Sequence, residues 1–125
     1  MFDRHHPANP LTAATAALRT GSVSLLKEGL IRFLRACDPV HDHRDVMVGL
    51  APLHDCARRI GADPDALFQA AAHEVGGEAA EIASTFGRRS DITPRAFDYH
   101  LETSSAGPEY HWGSAPSVAD KQQSS

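Results

Sequence analysis

Only two of the 125 residues are cysteine, Cys37 and Cys56, and they do not form a C-x-x-C pair. That scarcity speaks against a disulfide framework. Both positions fall in segments of helical periodicity, where free buried thiols in a reducing compartment are expected. No run of eighteen apolar residues occurs, and the opening "MFDRHHPANP" has no apolar h-region. Neither a membrane span nor a secretory signal is therefore expected. A Gly-rich phosphate loop and a nucleophile elbow are also missing. Positive charge is in deficit, with 12 Lys and Arg against 16 Asp and Glu, a net charge of −4 and a pI near 6.0. Such a chain has no general field for phosphate backbones or anionic lipid. The expectation is a soluble cytoplasmic protein whose partner is another protein, with no nucleic acid and no membrane. Lysine is rare beside ten arginines, and alanine is abundant, a bias that suggests a GC-rich bacterial genome.

What is present is helical periodicity. The length predicts one domain, able to bury roughly two thirds of its unfolded surface. After a lead-in over residues 1–8, expected to be flexible, "NPLTAATAALRTG" offers Asn9 as N-cap, Pro10 at the first helical position and Gly21 as terminator. "SVSLLKEGLIRFLRACDP" carries Val23, Leu26, Leu30, Phe33 or Leu34, and Cys37 at three- and four-residue steps, with Glu28 set to pair with Arg32 and Pro39 ending the run. "DHRDVMVGLAPLHDCARRIG" predicts a third helix with Val46, Leu50, Leu53, Ala57 and Ile60 on one face. Pro52 within it predicts a kink near Val48 to Pro52, or two helices in sequence. Asp63, Pro64 and the pair Gly76–Gly77 bracket a fourth helix, and "EAAEIASTFG" a fifth with Ala79, Ile82, Ala83 and Phe86 inward.

Beyond "RRSDITP" the apolar period shortens to two. "FDYHLE" and "EYHW" alternate around the turn material "TSSAGP", predicting a β-hairpin over residues 97–112. If Glu102 pairs with Glu109, His100 faces His111 on the polar side, able to share a metal or to act as a pH-sensitive pair. The other face, Tyr99, Leu101, Tyr110 and Trp112, is either core cover or an aromatic binding surface. Residues 113–125 are small and polar and are expected to be a disordered tail. The predicted architecture is mainly α: about five short helices over 9–112, closed by the C-terminal hairpin.

Chemistry concentrates first in "DPVHDHRD", residues 38–45. Asp42 reads as an N-cap with Asp45 in the first helical turn, where a carboxylate complements the helix dipole, which leaves His41 and His43 unexplained. A metal at this turn would draw on His41, His43 and Asp45. His54 follows the proline and adjoins the apolar face, where a satisfied, partly buried histidine is expected. Asp55 with Arg59 reads as an exposed pair four residues apart. Arg88 and Arg89, between the last helix and the hairpin, suit helix carbonyls, a neighbouring carboxylate, or an acidic partner.

The stretch "HRDVMVGL…RRIGADPDALFQAAAHEVG" resembles the first half of an HD-domain metal phosphohydrolase over about a quarter of the chain. The resemblance implies a metal-dependent hydrolase with His43 as first ligand and His73 as second. Glu74 stands where that family carries its aspartate, and Asp91 is the later candidate for the distal one. Without such a site the expectation is a non-enzymatic interaction module with no cofactor, of adaptor or toxin-neutralising type, with Tyr99, Tyr110, Trp112, Arg88 and Arg89 as contact residues. The alternative is a hydrolase binding a divalent metal through His41, His43, Asp45, His54 and His73. The oligomeric state is left open.

Overall fold

A computed structural model describes residues 6–37, 43–89, 97 and 99–113. Five helices precede a two-stranded antiparallel hairpin: α1 Pro10–Thr20, α2 Val23–Cys37, α3 His43–Arg59, α4 Pro64–Val75, α5 Glu78–Gly87, β1 Tyr99–Ser104 and β2 Gly107–Trp112. The mainly-α architecture read from periodicity is the one observed.

The helix ends follow local chemistry. Asn9 Oδ1 accepts the Leu11 N–H at 2.9 Å and Asp63 Oδ1 that of Asp65 at 3.1 Å, each cap followed by a proline at the first helical position. Gly21 closes α1 in the left-handed region (φ 67°), with its N–H on the Ala17 carbonyl. The Ser22 hydroxyl then accepts the Leu25 N–H at 3.2 Å at the start of α2. The proposed Asp42 cap lies outside the described residues.

Helix α3 runs from His43 to Arg59 with Pro52 inside it, so the two-helix expectation is not met. Proline removes one backbone hydrogen bond, yet Pro52 is buried among apolar neighbours, and packing on both sides of the break outweighs a single lost bond.

Helices α2 and α3 form the centre. Helix α1 packs on both and on β2, α4 on α2 and α5, and α5 on α3. Leu26, Leu30, Phe33 and Leu34 from α2 meet Val46, Leu50 and Leu53 from α3 and Phe68 and Phe86 from α4 and α5. Each fully buried side chain of this size contributes roughly 1.5–3 kcal/mol. Two glycines set the spacing: a Cβ on Gly29 would lie 2.2 Å from the Ala13 Cβ, and one on Gly49 would lie 2.1 Å from the Phe33 ring. Val23, expected on the buried stripe of α2, is instead 44% exposed, because only the positions from Leu26 onward reach a neighbouring helix. Gln69 and Ser84 tie α4 to α5 by two hydrogen bonds of 2.7 and 2.8 Å.

The hairpin register pairs Glu102 with Glu109, His100 with His111, Leu101 with Tyr110 and Tyr99 with Trp112. The condition set on the sequence, Glu102 opposite Glu109, is the pairing observed. It turns one face of rings onto the helices, and Tyr99 and Tyr110 are each only 3% exposed.

Candidate functional site

Chemistry gathers where the hairpin meets α1 and α3. Asp55 is 8% exposed, not the solvated surface residue its spacing from Arg59 suggests. Its Oδ2 accepts the Arg59 Nε–H at 2.7 Å and the Tyr110 phenol at 2.8 Å. The phenol's pKa is pushed far up, first by burial and then by the Asp55 charge, so Tyr110 remains a hydrogen-bond donor. Nearby, the Tyr99 hydroxyl donates to the Ala51 carbonyl at 3.3 Å. These bonds latch the hairpin to α3. The partner of Asp55 lies fifty-five positions downstream, and no local pattern could have revealed it.

His54, one residue before Asp55, is 1% exposed, and among the described residues neither ring nitrogen meets a hydrogen-bond partner. The expectation of a partly buried histidine is corrected: the ring is fully buried. The imidazole lies edge-on to Phe68 and Phe86, with ring centroids 5.7 Å apart in each case. Burial, seconded by Arg58, holds its pKa below the ordinary value, against weaker opposition from the Arg89 backbone, then the Asp55 charge and the Gly87 backbone. The ring is therefore neutral at pH 7.

The remaining candidates are spread out. His41 lies outside the described residues, as does Asp91. His43 and Asp45 are exposed in the first turn of α3, and His73 is exposed in the last turn of α4. Among the described residues no three His, Cys, Asp or Glu side chains form a group that could hold a metal ion. Arg88 approaches Asp65 at 4.0 Å, and Arg89 lies over the Phe86 ring at 5.8 Å. On the hairpin's polar face His100 and His111 stack with centroids 5.3 Å apart. His111 Nε2 lies 3.2 Å from Glu102 and 3.6 Å from Glu109, and His100 Nδ1 is 2.8 Å from the Gly113 carbonyl.

A groove of about 600 Å³ runs between α1 and β2. Leu11, Thr12, Thr15, Ala16 and Arg19 form its helical wall, and Tyr110 and Trp112 its other side. The Thr15 hydroxyl accepts the Tyr110 N–H at 3.0 Å, and Arg19 Nε donates to the Pro108 carbonyl at 3.0 Å. Trp112 is half-buried, and its enclosed indole N–H meets no acceptor among the described residues. Sequence reading found Trp112 but missed Arg19 and the two threonines, which acquire a role only when α1 is laid against β2.

The fold and this groove define a small helical domain with an appended hairpin. No family model, no curated protein and no solved structure matches the chain. Among the described residues no helix is long and apolar enough to cross a membrane.

Proposed function

We propose that the protein is a non-enzymatic interaction module of the bacterial cytoplasm, of adaptor or toxin-neutralising type, and that its contact surface is the groove between α1 and β2. The observation that carries this reading is Trp112. It is the chain's one tryptophan, on the groove wall, with a ring that the core does not fully cover. Tryptophan and arginine are the residue types most enriched among contacts that dominate binding energy, and Arg19 shares the same groove. Two buried free thiols support a reducing compartment.

A photo-reactive amino acid at Thr12, inside the groove, tests the reading against the same group at Arg32, on the exposed side of α2. A discrete protein adduct from position 12 alone is expected in cells, and it should vanish in Trp112→Ala protein that retains its melting temperature. Adducts from neither position, together with stoichiometric divalent metal that is lost on His43→Ala and His73→Ala, would favour the hydrolase instead.

A further inference from the structure

Resting on the interaction reading above, we infer that the groove takes a short extended segment of a partner chain, anchored by a carboxylate on Arg19 and by an apolar side chain on Trp112.

The length of the groove bounds the occupant. Helix α1 flanks the groove from Asn9 to Arg19, a rise of about 15 Å at 1.5 Å per residue. An extended chain of about four or five residues spans that length.

Backbone geometry points the same way. In an antiparallel ladder, the N–H and C=O of alternate residues turn outward together. The Tyr110 N–H and Pro108 carbonyl both turn toward α1, where they meet Thr15 and Arg19. By the same alternation the Tyr110 carbonyl and the Trp112 N–H face that side of the strand, two hooks of the kind that an added extended segment uses.

Charge selects the anchor. Arg19 is exposed and gives its Nε–H to the Pro108 carbonyl, and among the described residues no carboxylate lies within ion-pair distance of its guanidinium. Glu109 also lines the groove, 3.6 Å from His111 Nε2, which lies 3.2 Å from Glu102. A guanidinium held by one nitrogen still presents its terminal nitrogens to a carboxylate.

The probe is a displayed library of random eight-residue peptides selected on the full chain, with the winners resynthesised. The expected winners share one Asp or Glu at fixed spacing from an apolar residue. They should shift the Trp112 emission, slow hydrogen exchange at the Trp112 amide, and lose ten-fold or more in affinity on Arg19→Glu. Arg19→Lys should keep most of the binding, and a peptide with Lys in place of its acid should recover affinity for Arg19→Glu. Winners without an acid, or winners indifferent to Arg19→Glu while that variant melts normally, overturn the inference. So does a shift in Trp112 emission on removing residues 114–125, which would place the chain's own end in the groove. An empty selection overturns it as well. If the position-12 adduct still forms in that case, the interaction reading stands with a folded surface as the partner.

Discussion

The Tyr110 phenol donates a 2.8 Å hydrogen bond to Asp55 Oδ2, joining the last strand to the middle of α3. The same oxygen holds Arg59 at 2.7 Å, so one buried carboxylate organises a strand and a helix end together. Tyr110→Phe leaves that oxygen short of a donor in a low-dielectric site. It should destabilise the fold by about 1–3 kcal/mol. A double-mutant cycle with Asp55→Asn in urea unfolding should return a coupling of at least about 1 kcal/mol. Additive effects would show that the bond contributes nothing in solution.

His54 makes stability depend on pH. Its folded pKa is lowered, chiefly by burial, so as pH falls through the unfolded value near 6.5 the unfolded chain binds the proton first. The contribution is therefore fully present above about pH 6.5. It declines below that pH, at up to about 1.4 kcal/mol per pH unit, until the lowered folded pKa is reached. His54→Leu should flatten the urea midpoint between pH 6.5 and 4.5. It should also raise stability at pH 7 by about 1 kcal/mol, since two polar nitrogens with no partner among the described residues leave the core. A slope unchanged by the substitution would assign the acid sensitivity to other groups.

Burial pushes both thiols up to about 12. Cys56 also donates to the Ala14 carbonyl at 3.3 Å. At pH 8 the thiolate fraction is then only about 10⁻⁴, so a disulfide reagent should label neither cysteine in the folded protein. Labelling should follow the unfolding transition as denaturant is added. Fast labelling of one cysteine without denaturant would show that its helix opens locally.

Gly49→Ala should destabilise by about 1–3 kcal/mol despite alanine's better helix propensity, because the new methyl meets the Phe33 ring at 2.1 Å. Phe33 is itself fully buried and has nowhere to swing. Shortening the obstacle with Phe33→Leu should make the two substitutions strongly non-additive, as read from thermal melts of the four proteins.

The five helices, the caps at Asn9 and Asp63 and the hairpin register were all legible in the chain. They rest on interactions within a few residues: a side-chain oxygen reaching the next N–H groups, a glycine that enters the left-handed region, an apolar period of 3.6 or 2. Only tertiary structure decided what Pro52, His54 and Asp55 became. The unbroken course of α3, the buried imidazole and the buried carboxylate each depend on neighbours contributed by other elements. The groove belongs to the same category. Arg19 and Trp112 stand ninety-three positions apart in the chain and share a surface because α1 packs on β2. Short-range chemistry is written in residue order, whereas burial and long-range pairing arise only when the whole core closes.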